Sequence, residues 1–146
     1  MTTAIQKLRE ETGAGVMDCK RALEEAGGDY DLAKKLIEKQ GIAKALKKAD
    51  RATGAGLLES YIHNDRVGVL LELRSETDFV AHSEPVRALA HNLALHIAAM
   101  GPETAEDLLK QPYVKDDSKT VGEVIKGIIA LVGENLKVAR FVRYQI

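Results

Sequence analysis

Apolar residues in the first part of the chain recur every three or four positions, which is the spacing of one face of an α-helix. The segments "TGAG" at 12–15 and "GGD" at 27–29 interrupt this spacing, since glycine tolerates the backbone angles of tight corners. Asp29 is placed to cap the next helix, which is expected to end near Gly41. The pattern predicts a three-helix bundle over residues 1–41. Its apolar stripes are Ile5 and Leu8; Val16, Cys19, Leu23 and Ala26; and Leu32, Ala33, Leu36 and Ile37.

A basic, alanine-rich segment follows the bundle. Its sequence "IAKALKKADRAT", residues 42–53, predicts a helix that connects two domains, and "TGAG" recurs at 53–56 as two further breakers. We therefore expect a linker over residues 42–54. The basic residues of 34–51 could bind RNA, but a helix face in contact with water is the more usual explanation of such a run.

The apolar period changes to two in residues 57–63 and 67–73, and the intervening "NDR" is typical of a hairpin turn. Helical spacing returns over residues 84–100 and 120–132, with a loop between them that contains about one helical turn. The end of the chain alternates again and predicts a strand with Leu136, Val138, Val142 and Tyr144 on one face. The predicted fold class is α+β: the helical bundle, then a small antiparallel sheet packed with helices over residues 55–146.

Composition narrows the class of protein. The 146 residues suffice for one domain with a small appendage, and an apolar fraction of 45% is normal for a packed protein. A net charge of −1 provides no overall field that would attract nucleic acid or a membrane. The single cysteine, Cys19, fits a reducing compartment, and we recognise neither a signal peptide nor a membrane span. We expect a cytoplasmic protein without nucleic-acid or membrane partners.

Side chains suited to covalent chemistry do not form a recognisable set. The four histidines match no zinc motif, and His91 and His96 are five residues apart, on different helix faces. "TGAGVM" lacks the lysine–serine ending of a phosphate-binding loop, and no nucleophile is paired with a base. An enzyme is therefore the least favoured class. We expect no cofactor, no metal site and no direct nucleotide binding.

Met17 is an apolar residue among charges. It shares a helix face with Lys20, Arg21 and Glu24. Methionine is pliable, so this position fits a contact surface for another protein. An isolated methionine on a solvated face is an equally good explanation.

Phe79, one of only two phenylalanines, directly follows Thr77 and Asp78 at the end of a predicted strand. It either packs in the core under the next helix, as most phenylalanines do, or projects from an exposed turn. Thr77 or Asp78 could simply cap a helix. His96 borders the apolar stripe of the long helix, where a histidine is more often a packing residue than a functional one.

Several segments carry a resemblance to a known family. They are "LREETGAGVMDCKRALEEAGGD", "YIHNDRVGVLLELRSETDFVAHSE", "LHIAAMGP", "QPYVKDDSKTV" and "GENLKVARFVRYQI", in order over nearly the whole chain. Together they are similar to bacterial elongation factor Ts, the guanine-nucleotide exchange factor of the GTPase elongation factor Tu. The chain resembles a short form with a single core module. It lacks the long helical stretch that members usually carry between the equivalents of Met100 and Gln111.

The resemblance implies a role for Phe79 and its neighbours. Thr77, Asp78, Phe79 and Val80 match the family motif "TDFV", which inserts an Asp–Phe pair between helices of Tu beside its magnesium and phosphate sites. The ring would act as a wedge, and the acid would reorganise the polar contacts around the metal. Weaker metal coordination would then speed GDP release during translation elongation.

Two further surfaces follow from the resemblance. The bundle resembles a ubiquitin-associated domain that docks on Tu, and its contact residues would be Arg9, Val16, Met17 and Lys20, with Val16 in place of a frequent methionine. A second surface, which meets another domain of Tu, would contain Val67, Gly68 and His96. Longer members present this surface and the wedge from two copies of the core module. A single-module chain is therefore expected to form a homodimer through residues 55–146.

Two other classes of function stay open. An adaptor with the same bundle and a dimerising domain would bind Tu and leave GDP release unchanged. An RNA-binding protein that uses residues 34–51 would bind RNA with a steep dependence on salt.

Overall fold

The computed structural model describes residues 2–146. Its helices and strands, in chain order, are α1 (Thr2–Thr12), α2 (Val16–Glu25), α3 (Tyr30–Lys48), β1 (Ala55–His63), β2 (Val67–Ser75), α4 (Asp78–Ala81), α5 (Glu84–Met100), α6 (Ala105–Lys110), β3 (Pro112–Tyr113), β4 (Asp116–Thr120), α7 (Val121–Val132) and β5 (Leu136–Gln145). Strands β1, β2 and β5 form one sheet, and β3 and β4 form a separate pair. The fold is α+β, as the sequence predicts.

The first three helices enclose a small apolar core of their own, which includes the fully buried Leu8, Cys19 and Ala33. Asp29 caps α3 as predicted: its carboxylate accepts a hydrogen bond from the Leu32 backbone N–H at 3.1 Å. The Leu32 and Val16 side chains, both expected on the apolar stripes, are instead 44% and 46% exposed. Each lies in the first turn of its helix, α3 for Leu32 and α2 for Val16, at the rim of the bundle.

Helix α3 does not end at Gly41 but continues to Lys48, so the expected break was wrong. Gly41 faces α7, and a Cβ at this position would lie 3.4 Å from the Ala130 Cβ. The glycine allows two helices to approach closely, while helix-forming residues on both sides keep the backbone helical. The expected linker helix is therefore the second half of α3. The domain boundaries at residues 41 and 54 stay predictions.

Strands β1 and β2 form the predicted hairpin, paired from Ala55 with Ser75 to His63 with Val67. In its turn, Asn64 and Asp65 have φ of 50° and 57°. The Arg66 backbone N–H donates to the His63 carbonyl at 3.0 Å across these two residues, and positive φ at both central positions of a turn matches the twist of the strands. Strand β5 pairs antiparallel with the other edge of β2, so β2 is the central strand.

A bulge in β5 inverts the alternation of its side chains. Ala139 has no partner of its own on β2, and the pairing register shifts there. Beyond the bulge Phe141 turns toward the core, whereas Val142 and Tyr144 are exposed, because one extra residue moves all later side chains to the other face. The prediction that Val142 and Tyr144 share the face of Leu136 and Val138 was therefore wrong.

Helix α5 packs against β1 and β2, and α7 packs between α5 and α3. The core that they enclose includes the fully buried Leu71, Leu93 and Ile97. Within the described residues, no helix covers the opposite side of the sheet, which we call the open sheet face. Its exposed apolar side chains are Leu58, Ile62, Leu70, Val142 and Tyr144.

The second "TGAG" segment provides a matched pair of substitutions. A Cβ at Gly56 would lie 2.5 Å from the Leu73 carbonyl oxygen, whereas one at Gly54 would meet nothing within 4 Å. We expect Gly56→Ala to lower the free energy of unfolding by about 1–3 kcal/mol, because the β1 and β2 backbones must separate. Gly54→Ala should change it by about 0.5 kcal/mol or less. Urea denaturation measures both, and equal values would contradict this packing.

Candidate docking site for a partner protein

Phe79 projects from the protein into solvent. Its side chain belongs to the four-residue helix α4, and the residue is 87% exposed. The two residues after it, Val80 and Ala81, are 9% and 0% exposed. The short helix therefore uses one side to attach to the core and the other side to display an aromatic ring. Of the two explanations that the sequence left open, core packing is wrong and the exposed turn is confirmed.

Side chains at both ends of α4 fix this turn. At its start the Thr77 hydroxyl oxygen accepts a hydrogen bond from the Val80 backbone N–H at 3.3 Å, which is an N-terminal cap. One residue before the helix end, the Val80 carbonyl accepts a hydrogen bond from the Ser83 hydroxyl at 2.6 Å. The Ser75 hydroxyl, at the end of β2, donates to the Thr77 carbonyl at 2.8 Å. The sequence pattern correctly indicates a capping role for Thr77, and capping coexists with the exposed ring.

The carboxylate of Glu134, in the turn between α7 and β5, also binds Thr77. Its Oε1 accepts from the Thr77 backbone N–H at 2.9 Å, and its Oε2 accepts from the Thr77 hydroxyl at 2.8 Å. In the opposite direction, the Asn135 backbone N–H donates to Glu76 Oε1 at 2.9 Å. Sequence reasoning missed both Glu134 and Asn135, because 57 or more residues separate them from their partners and no local pattern marks such pairs.

Asp78 is exposed beside the ring. Its backbone carbonyl accepts a hydrogen bond from His82 Nδ1 at 2.8 Å. Among residues 2–146 no hydrogen bond or ion pair engages its carboxylate. The tip of the turn therefore presents an apolar ring and a free negative charge side by side.

The predicted contact residues of the bundle are all exposed. Val16 and Met17 are 46% and 61% exposed at the start of α2, and Arg9 and Lys20 are exposed as well. Asp18 does not belong to this surface, because it binds Arg21 and, at 3.3 Å, Lys44 of α3. Hydrogen bonds from these two cations lower the pKa of the Asp18 carboxyl, and the bond from Arg21 has the larger effect.

The second predicted surface is less accessible. Val67 and Gly68, next to the hairpin turn, are half-buried, and His96 is 0% exposed. His96 Nε2 lies 2.9 Å from Gln111 Oε1, and His96 Nδ1 accepts from the Val114 backbone N–H at 3.1 Å. These bonds assign the proton to Nε2. His96 is a packing residue in this structure, and a direct contact with a partner would require residues 111–114 to move.

Neither a metal-ligand cluster nor an exposed thiol occurs in the described residues. No cluster of three or more histidine, cysteine or acidic side chains there could hold a metal ion, and Cys19 is buried. A cleft of about 470 Å³ lies beside the contact between the bundle and α7 and is lined by residues of both. Its lysines are paired: Lys34 with Glu11, Lys44 with Asp18 and Lys119 with Glu38. The search for a helix able to span a bilayer, made over the same residues, found none.

The fold and the turn define a class of protein: a small helical bundle joined to an α+β domain that displays an aromatic ring at its surface. The family model for elongation factor TS matches residues 17–107. Elongation factor Ts of Coprothermobacter proteolyticus is 40% identical over 97% of this chain and 95% of its own length. That of Thermotoga petrophila is 41% identical over 97% and 94%. The chloroplastic protein of Cyanidioschyzon merolae is 42% identical over 99% and 92%. The chain belongs to the elongation factor Ts family, whose name assigns it to translation elongation.

The alignments also reveal a difference in length. The alignment with the Coprothermobacter protein extends over 188 positions, more than the 146 residues of this chain. That relative therefore carries residues without a counterpart here. This finding agrees with the expected absence of a long helical stretch. In this chain, α6 and short loops join Met100 to Gln111.

The exposure of Phe79 predicts how its removal affects folding. Phe79→Ala should change the free energy of unfolding by about 0.5 kcal/mol or less, since the ring contributes little to the core. Val80→Ala, at the next position, should lower it by about 2 kcal/mol through lost apolar contact and a cavity. Thermal or urea unfolding followed by circular dichroism compares the two. A loss for Phe79→Ala as large as that for Val80→Ala would mean that the ring is buried in solution.

Proposed function

We propose that this chain is a guanine-nucleotide exchange factor that binds the GTPase elongation factor Tu and promotes GDP release during translation elongation in the cytoplasm. The observation that carries the proposal is the 87% exposure of Phe79 on a turn fixed to the rest of the fold. An exposed ring beside a free carboxylate contributes little to stability, but it suits an apolar crevice on another protein. Membership of the elongation factor Ts family supports the choice of partner.

Exchange activity follows from thermodynamic linkage. A factor that binds nucleotide-free Tu more tightly than GDP-bound Tu must weaken GDP binding by the same ratio. A coupling free energy of about 1–3 kcal/mol corresponds to a change in affinity of roughly 5–150-fold. No bond of the nucleotide is made or broken, so the factor is not an enzyme in the chemical sense. It requires neither a cofactor nor a nucleotide site of its own.

The tip of α4 provides the differential interaction. Burial of a phenylalanine ring contributes roughly 1.5–3 kcal/mol, and little of this is lost to ordering because Thr77 is already held at both its N–H and its hydroxyl. Asp78 brings a negative charge to the same place. Inserted beside the magnesium site of Tu, the pair disturbs the polar contacts of the metal, whose charge holds the diphosphate.

The helical bundle supplies a second attachment. Val16 and Met17 offer an exposed apolar patch, and Arg9 and Lys20 add positive charge on the same module. Two linked contacts on one partner bind more tightly than either alone, provided that both can engage at once. The bundle therefore keeps the wedge close to Tu, and the wedge acts on the nucleotide site.

The open sheet face supports the proposed homodimer. Its exposed apolar residues cover three neighbouring strands, and one of its cations, Arg140, is paired, with its Nε 3.0 Å from Glu72 Oε1. The apolar part of such a face can pack against a second copy of itself about a two-fold axis. Dimerisation would also give one complex a wedge from one copy and the hairpin residues Val67 and Gly68 from the other.

Two alternative functions, an adaptor and an RNA-binding protein, predict different observations. An adaptor would bind Tu without changing GDP release. An RNA-binding protein would use the basic residues of 34–51, of which Lys34, Lys44 and Arg51 are engaged by carboxylates. The structure offers no observation that favours RNA over protein, whereas Phe79 favours protein.

Replacement of Phe79 tests the exchange function. Phe79→Ala should lower the factor-stimulated rate of GDP release from Tu about thirtyfold, because loss of a buried hot-spot ring weakens an interface by about 2 kcal/mol or more. Stopped-flow release of a fluorescent GDP measures it. Leu46→Ala is the control, since Leu46 is 59% exposed on α3, away from the turn, and should retain full stimulation. Equal rates for wild type and Phe79→Ala would refute the wedge.

The dimer depends on the open sheet face. Leu70 is 45% exposed on the central strand. Leu70→Glu would place a charge in the interface, and we expect it to raise the dissociation constant of the dimer by about tenfold or more. The control Leu109→Glu, on α6, should leave the dimer intact. Sedimentation equilibrium measures both. A wild type that stays monomeric, or a Leu70→Glu variant that dimerises normally, would contradict the proposal.

A further inference from the structure

We infer that Glu134 is a positioning residue for nucleotide exchange, which acts on the partner only through the turn that carries Phe79. The inference rests on the proposed function. Glu134 lies directly after Gly133, whose φ of 77° ends α7, and directly before the buried Asn135 and Leu136. Its backbone is therefore attached to the core on both sides. Its side chain spans from this rigid base to Thr77.

The carboxylate of Glu134 sets the direction of the Thr77 hydroxyl. A hydroxyl has one proton to donate, and here the acceptor is Glu134 Oε2 at 2.8 Å. The lone pairs of Thr77 Oγ1 are then free to accept the Val80 N–H. Hydrogen bonds in such a chain polarise one another, and those to an ionised group are the strongest. Helix α4 has only four residues, so its conformation depends on this cap more than on its own backbone bonds.

The neighbouring contacts connect the same point to the helical bundle. The Asn135 side chain donates to the carbonyls of Ala49 and Arg51 at 3.3 and 2.9 Å, and Arg51 lies 3.6 Å from Glu76. Two consecutive residues, 134 and 135, thus hold the turn that bears the ring and the chain that leaves α3. These contacts link the turn that bears the ring to the end of α3, the last helix of the bundle.

Loss of the Glu134 side chain would release the turn without touching the partner. The ring would then sample many orientations, and only a fraction of them would fit the crevice. Ordering of the turn would have to occur during insertion, so the step inside the complex would slow. Binding through the bundle would be nearly unaffected.

The test is stopped-flow release of fluorescent GDP from Tu over a range of factor concentrations, which gives a maximal rate and a half-saturating concentration. Glu134→Ala should lower the maximal rate about tenfold and change the half-saturating concentration by about twofold or less. Glu134→Gln keeps one acceptor for the Thr77 N–H and should restore part of the rate. The control Glu103→Ala removes an exposed glutamate that precedes α6 and should behave as wild type.

A double substitution distinguishes positioning from a general structural effect. If Glu134 acts through the ring, Glu134→Ala should cause no further loss in a Phe79→Ala background, since the two effects are not additive. An equal loss in both backgrounds, a loss confined to the half-saturating concentration, or no loss would overturn the inference. Should Glu134→Ala fold poorly, Glu134→Gln decides by the same criteria.

Failure of the proposed function is distinguishable from failure of this inference. A wild-type chain that did not accelerate GDP release would refute the function and, with it, the role of Glu134 in exchange. The effect of the two Glu134–Thr77 hydrogen bonds, which we call the clamp, is measurable without any partner by amide hydrogen exchange at Val80 in the free protein. That exchange should be faster in Glu134→Ala than in wild type, and unchanged protection would refute the clamp alone.

Discussion

Two hydrogen bonds from Thr77 to Glu134 hold the start of the turn that displays Phe79. Exposure of an aromatic ring to water is unfavourable in free energy, so in a flexible turn the ring would pack against the nearest apolar surface of its own chain. Here the turn is tied at its start by Glu134 and Thr77 and on its inner side by the buried Val80 and Ala81. The backbone that carries the ring is held in the free protein, so burial of the ring by a partner would require little further ordering of the turn.

The same logic explains how the two parts of the chain cooperate. Helix α3 is continuous through Gly41 and packs on α7, and α7 leads directly to Glu134. The bundle, with its exposed Met17, and the turn, with its exposed Phe79, are thus joined through helices rather than through a flexible tether. A partner that binds both surfaces meets a nearly preformed arrangement, which favours simultaneous engagement.

Much of the fold follows from local patterns in the sequence. The period-two alternation located β1 and β2, the "NDR" turn located the hairpin, and helical spacing located α5 and α7 within a residue or two. Failures occurred where distant residues decide the outcome. Gly41 lies inside a helix that packs on α7, and Ala139 forms a bulge that depends on pairing with β2. The sequence indicated that the Thr77–Asp78–Phe79 turn is exposed or capped. It did not reveal the hydrogen bonds between Thr77 and Glu134, which are 57 positions apart. The burial of His96 likewise depends on residues distant in sequence, Gln111 and Val114.

Fluorine NMR on a chain labelled with 4-fluorophenylalanine tests the central claim most directly, because the sequence contains only two phenylalanines. The Phe79 resonance should be sensitive to the exchange of H₂O for D₂O in the free protein, and the half-buried Phe141 resonance much less so. On addition of nucleotide-free Tu, the Phe79 resonance should shift and lose that sensitivity as the ring enters the partner. A complex in which the Phe79 fluorine keeps its full solvent sensitivity would contradict the insertion of this ring.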